Sequence, residues 1–371
     1  MRPILIFAPS IGFRIFCGSA VLCALIFGSS EAFAQSATGV PANTATARSL
    51  TDATDQIQKD LIDREVLGLS SSGGVAVGIG VSPSGRLRTS AHDGLKDNLG
   101  GKTFSFDADE ASAFANVVAG VPGTTLGGQV KFSGFVGYNS LSLDIKSNHV
   151  KILDPNQFGG ARNESFVAGG TALWASQNTY ALATIVGAWG ETTLIDSVDD
   201  CSPKGCNLHR YKFGTTALIA NATAGHVFDL SEGASGPKLD LRGSIGYTQT
   251  DGDRFKNING DEQVYAFSTW TGVGAVTLFT NLALGNAALL RPYIQGYVRQ
   301  EWDYNNEFSA QENQGPFLGT FTLDQSHTYL GVDAGLTYAI DNMTFGGSIY
   351  VEGSADEETL GGRVSASWKF N

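Results

Sequence analysis

Charge is scarce in this chain: Asp, Glu, Lys and Arg make up 16% of its 371 residues, and the formal balance is −12. Nucleic-acid binding needs clustered cations, so nucleic acid is excluded as a partner. Long apolar runs are scarce as well. After the first 34 residues no stretch of about 18 apolar residues occurs, which excludes helical membrane spans from the remainder. There is no phosphate-binding loop, no H-E-x-x-H and no G-x-S-x-G, so nothing calls for a nucleotide, a hydrolytic metal or another cofactor. What is abundant is glycine, at 47 residues, together with 10% aromatics.

The first 34 residues read as a secretory signal. Arg2 and Arg14 lie in or beside the early apolar region, Val21 to Phe27 is an apolar core, and Ala32-Phe33-Ala34 is a small-residue cleavage site before Gln35. The long basic part also fits an uncleaved anchor. Cleavage removes Arg2, Arg14 and Glu31, taking the balance from −12 to −13. Of four cysteines, Cys17 and Cys23 leave with this segment, while Cys201 and Cys206 remain in D-D-C-S-P-K-G-C-N. Export leads to an oxidising compartment, and Ser-Pro-Lys-Gly is turn-like, so a small loop disulfide is expected. A metal site would need a second ligand pair, and only His209 is near.

From Gln35 to about Ala47 the composition is Ser/Thr/Ala/Gly-rich and reads as flexible. Leu50, Ile57, Leu61, Ile62 and Val66 then approach helical spacing over Ser49 to Leu67, with Gly68 as a stop. This short helix can plug a pore or lie in the periplasm. Residues 73–127 allow a hairpin, Val75 to Val81 and Arg86 to Ser90 joined by Ser-Pro-Ser-Gly, while Asp107 to Ala119 looks helical.

From Gln129 onward strands are expected near 129–144, 163–176, 179–193, 208–229, 237–249, 262–283, 288–303, 327–340, 343–353 and 358–370. The last is the clearest: Leu360, Gly362, Val364, Ala366, Trp368 and Phe370 alternate with Thr359, Gly361, Arg363, Ser365, Ser367 and Lys369. Most of these runs reach the 9–11 residues that a tilted strand needs to cross a bilayer. Residues 208–229 lose phase midway, as at a bulge. Connectors alternate between short turns, such as Asp341-Asn342 and Gln177-Asn178, and longer polar segments such as 194–207 and 304–326. Sorting of loops by side is a property of outer-membrane barrels.

The segment from Leu290 to Phe370, with L-R-P-Y-I-Q-G-Y-V-R-Q-E-W, H-T-Y-L-G-V-D-A-G-L-T-Y, F-G-G-S-I-Y and G-G-R-V-S-A-S-W-K-F, resembles the C-terminal barrel domain of autotransporters. The resemblance implies an all-β antiparallel transmembrane barrel of 12 strands in the outer membrane of a Gram-negative bacterium, with a helix through its pore. Ten strands are clear, so two more are expected within 73–127. It further implies a monomer in outer-membrane lipid, delivered by periplasmic chaperones and inserted by the barrel assembly machinery through its last strand, with Trp368 and Phe370 as the C-terminal assembly signal. The expected division is 1–34 signal, 35–100 N-terminal segment and 101–371 barrel. Asn371 after Phe370 departs from the family pattern, and a passenger confined to Gln35 to Asn98 is too short for a large secreted domain.

Lys238, Asp240, Arg242, Arg291, Arg299, Asp333, Arg363 and Lys369, with Glu301 and Asp303, fall on the expected lumen side. Mixed charges there either tune ion passage or pair around a plug. His149, His209 and His327 near Asp154, Asp200 and Asp324 allow a barrel protease, but surface histidines among loop carboxylates look the same by chance, as His92 and His226 illustrate. Asn98 before Leu-Gly-Gly is a weak candidate for self-cleavage. A porin-like channel or a surface-loop binder is the alternative to an anchor and translocation pore; no enzyme activity is expected.

Overall fold

The computed structural model describes residues 19–67, 77–90, 95–96, 103–121, 126–147, 159–196, 201–202, 205–206, 209–232, 236–256, 262–285, 288–311, 327–355 and 357–370. One helix, α1 (Ser19–Glu65), precedes twelve long strands: β1 (Val77–Ser90), β2 (Thr103–Gly120), β3 (Gln129–Ser147), β4 (Gly159–Ser176), β5 (Thr179–Asp196), β6 (His209–Asp229), β7 (Pro237–Gly252), β8 (Glu262–Thr280), β9 (Ala288–Gln311), β10 (His327–Ile340), β11 (Met343–Gly353) and β12 (Glu357–Phe370). Each strand pairs antiparallel with its sequence neighbours, and β1 pairs with β12, so the sheet closes on itself. Closure leaves no free edge among these strands, the condition for β-structure in lipid.

Side-chain alternation sets the two faces. Ile79, Val136, Phe166, Ile185, Ile245, Ile294, Val332, Ile349, Val364 and Trp368 point outward and are exposed to whatever surrounds the barrel. Their inward neighbours include Ser82, Asn116, Asn139, Thr184, Thr271 and Ser348, all buried. Exposing a large apolar side chain to water forgoes about 1.5–3 kcal/mol, so this outside-apolar arrangement belongs in lipid. The barrel is a transmembrane one.

Connections sort by end. Gln177-Asn178, residues 230–232, 281–285 and Asp341-Asn342 lie at the end where β12 finishes, and Asp341 takes a positive φ of 48° in its two-residue turn. The strand ends at Ser147, Gly159, Gln311 and His327, which flank two of the longer connections, lie at the other end. Short turns mark the periplasmic side of such barrels.

Four sequence expectations are corrected. Ser82-Pro83-Ser84-Gly85 is no hairpin turn: β1 runs straight through it, and the β1–β12 pairing lapses between Val81 and Ser84, where Pro83 has no N–H to give. Asp107 to Ala119 lies within strand β2 rather than a helix. The barrel therefore starts at Val77, not at 101, and β1 and β2 supply the two missing strands. The helix is far longer than Ser49 to Leu67: it includes 42–47, whose side chains are buried, so that stretch is not flexible.

A further correction concerns residues 208–229. β6 pairs with β5 in unbroken register, and the register shift lies in β8, between Ser268 and Trp270. What changes along β6 is the face that is apolar: Tyr211 and Phe213 point inward near its outer end, whereas Leu218, Ala220, Ala222 and Ala224 point outward lower down.

Candidate functional site: the occupied pore

The lumen is filled by α1. Leu50, Ala53 and Ile57 recur at helical spacing and pack against Phe114, Phe135, Val167, Val186 and Ile219 on β2 to β6. The hydroxyls of Thr46, Thr51 and Thr54 donate to the carbonyls of Ala42, Ala47 and Leu50, each at 2.9 Å, which satisfies them inside the tube. Polar side chains bridge helix to wall: Gln58 donates to Thr184 (2.7 Å) and accepts from Thr223 (3.1 Å), and Asn221 donates to Asp55 (3.0 Å).

The opposite face of the helix carries Asp52, Asp60 and Asp63, and the wall there carries arginines. Asp52 forms an ion pair with Arg86 at 2.7 Å and accepts from Arg299 at 2.5 Å. Arg363 reaches Asp60 at 2.6 Å and Asp63 at 3.2 Å. Lys59 pairs with Asp333, and Arg48 with Glu301 (2.9 Å) and Glu357 (2.5 Å). The wall arginines are held in turn: Arg86 lies 3.2 Å from Glu110, and Arg299 2.5 Å from Glu352. This is a charge lock between one helix and strands β1, β2, β9, β10, β11 and β12.

The helix end has its own anchors. Arg291, fully buried, donates to the carbonyl of Asp63 (2.7 Å) and to that of Leu67. Lys131 meets Glu65 at 2.7 Å and Lys369 meets it at 3.9 Å. Cations at the last turn satisfy orphan carbonyls and complement the negative end of the helix dipole. Lys131, Arg291 and Lys369 all lie near the short-turn ends of their strands, so the C-terminal end of α1 sits at the periplasmic mouth. Ala42 and Ala45 sit among Leu141, Leu143, Ala161 and Leu194, near the outer ends of β3, β4 and β5.

Of the residues anticipated in the lumen, Arg291, Arg299, Asp333, Arg363 and Lys369 touch the helix. Asp240 instead accepts from Tyr180 at 2.8 Å, and Arg242 donates to Gln295 at 2.5 Å, both on the wall. Lys238 stands apart at the rim, paired with exposed Asp229 at 2.5 Å. Trp368 and Phe370 face outward beside the seam, opposite Ile79 and Val77. Cys201 and Cys206 oppose each other in a two-stranded ladder. His209 and His327 begin β6 and β10, which are not neighbours, and His226 meets Thr179 at 2.8 Å at the periplasmic end. His92, Asn98, His149, Asp154, Asp200 and Asp324 lie outside the described residues, as does the side chain of Asp303. Sequence reading missed Arg48, Asp52, Lys59, Asp60, Asp63, Arg86 and Lys131; the recurrence of Asp52, Asp55, Lys59 and Asp63 on one helical face was the available signal.

The fold of this barrel has counterparts among solved structures. The β-domain of the Bordetella autotransporter BrkA superposes with a TM-score of 0.60 at 15% identity, covering 80% of this chain and all of that one. The translocator domain of NalP from Neisseria meningitidis gives 0.61 at 14%, covering 90% and 99%. The transport unit of AIDA-I from Escherichia coli gives 0.56 at 11%, covering 87% and 99%. The fold is that of an autotransporter translocator domain. No protein-family model matches the sequence, and no curated protein matches it. In this translocator fold the lock described above is written in this chain's own residues.

Proposed function

We propose that the chain is an outer-membrane autotransporter-type barrel of a Gram-negative bacterium, a membrane anchor and translocation pore whose own helix occupies the pore. The observation that carries the reading is polarity. The helix runs from Ala42 at the long-loop end to Leu67 at the short-turn end, so anything upstream of residue 42 leaves by the outer mouth. In this reading residues 1–34 are a cleaved signal, and the barrel is a monomer in outer-membrane lipid, non-catalytic and free of cofactors. Trp368 and Phe370 are the outward-facing signal read by the barrel assembly machinery after periplasmic chaperones deliver the chain, and Cys201 and Cys206 form a loop disulfide.

The test is planar-bilayer conductance of the full chain and of a form lacking residues 42–67, each checked for barrel folding by heat-modifiable gel mobility. The deletion opens a channel that the full chain keeps shut. Equal conductance of the two folded forms would remove the plug and leave a porin as the better account.

A further inference from the structure

Two chemically different layers surround the helix. In the lower layer the charge lock leaves a cavity of about 130 Å³ between α1 and the wall, lined by Asp52, Lys59, Arg242, Tyr297, Asp333 and Glu352. A cavity of this size with several charged groups on its wall has both the room and the partners for water.

The upper layer is different. Above the outward row Tyr138, Phe166 and Trp189 the outer face turns polar, with Glu164, Arg162, Glu191 and Lys212, so this part of the barrel stands in water. Its interior is more apolar on the β3–β8 side: Leu141, Leu143, Ala161, Leu194, Phe213 and Tyr265 pack with Ala42 and Ala45, beside the buried polar Asn163, Thr192 and Gln263. A further aromatic comes from outside the twelve strands. After β7 the backbone N–H of Asp253 donates to the carbonyl of Gly214 on β6 (2.8 Å), and Phe255 is then carried into the mouth. Phe255 stacks on Phe213 with ring centroids 4.8 Å apart and 9° between planes, and lies 5.7 Å from both Tyr211 and Tyr265. At 8% exposure it is a core residue supplied by a loop.

We infer that this aromatic collar, closed by Phe255, is the seal of the resting pore, while the charge lock below it serves to hold the helix. The division follows from chemistry. Ion pairs around a hydrated cavity fix position but let water and small ions in, whereas an apolar constriction excludes them. Alanines at positions 42 and 45 keep the helix slim where the rings close on it. The inference rests on the plugged-pore reading.

The experiment uses the full chain in planar bilayers with Phe255→Ser and, as a shape-keeping control, Phe255→Leu. Helix docking is followed in parallel by thiol labelling of Thr54→Cys in a background with Cys201 and Cys206 replaced by serine. Phe255→Ser raises the closed-state current at least tenfold with the labelling rate unchanged, and Phe255→Leu stays shut. Because Phe255 lies outside the twelve strands, heat-modifiable mobility persists; Phe213→Ser in β6 provides a second opening of the same ring. Closed-state currents equal to wild type in both serine variants would overturn the inference, as would a leak that appears only together with faster labelling. If deleting residues 42–67 opens no channel, the plug itself fails; if the deletion opens one and Phe255→Ser does not leak, the collar alone fails.

Discussion

Replacing Asp52 by asparagine removes a carboxylate that ties the helix to two wall arginines at once. Arg86 and Arg299, both buried, lose a partner at 2.7 and 2.5 Å. Breaking a buried ion pair from one side costs about 3–5 kcal/mol, because the remaining charge stays desolvated. Here each arginine keeps a second acid, Glu110 and Glu352, so the low end of that range, about 3 kcal/mol, is the fitting figure. The whole penalty falls on the docked state, since an emptied lumen lets both guanidinium groups rehydrate. At about 1.4 kcal/mol per decade, the undocked population rises about a hundredfold. Thr54, with only 1% of its surface exposed, is the reporter position: a cysteine placed there is labelled by a small thiol reagent only when the helix leaves. Asp52→Asn speeds labelling by about two decades, while Asp144→Asn, on the outer face of β3, does not. An Asp52→Asn rate within about threefold of the parent would mean that the ion pairs do not hold the helix.

Two further expectations concern the wall and its loops. Tyr297 lies across Gly331, where an added Cβ would overlap the ring; Gly331→Ala therefore costs about 1–3 kcal/mol by overpacking and lowers the temperature at which heat-modifiable mobility is lost, whereas Gly296→Ala, with nothing within 4 Å, leaves it unchanged. Cys201 and Cys206 resist alkylation in protein taken from cells until a reductant is added; immediate modification of both would refute the loop disulfide.

The strands from Gln129 onward were legible because a lipid-facing side chain recurs at every second position, a signal that survives without any alignment. β2 was not. Its outward positions are Ala111, Ala113, Ala115, Val117 and Ala119, and alanine favours helix in isolation; the surrounding sheet overrides that preference. β1 was obscured by Pro83 and two neighbouring serines, which read as a turn but fall where the seam pairing lapses. In the pore, Arg291, Arg299, Asp333, Arg363 and Lys369 were found from strand alternation alone. Their partners were not, because which helical acid meets which arginine depends on the depth and rotation of the helix, and neither is encoded locally. Phe255 was invisible for a related reason: a loop residue becomes core only when its loop folds inward.

The inversion along β6 shows why this chain has a mean hydropathy of only −0.03 although it spans a membrane. One alternation serves two solvents: in lipid the outward set is apolar and the inward set mixes polar residues with the apolar ones that pack on α1, and above the lipid the outward set turns polar without any change of register. The switch therefore acts as a ruler. On β5 the outward apolar run extends from Ala181 to Trp189 before Glu191 ends it. At about 3.4 Å per residue and a tilt of about 40°, that run rises roughly 21 Å, close to the apolar band of about 25 Å found on outer-membrane barrels. The strands do not all use the ruler equally. β11, with 11 residues, ends near the lipid surface, whereas β9, with 24, continues well above it. The collar that grips Ala42 and Ala45 is built from strands on the tall side of the barrel and from the connection after β7, so the height of those strands, beyond what crossing the membrane requires, is what gives the pore an apolar mouth.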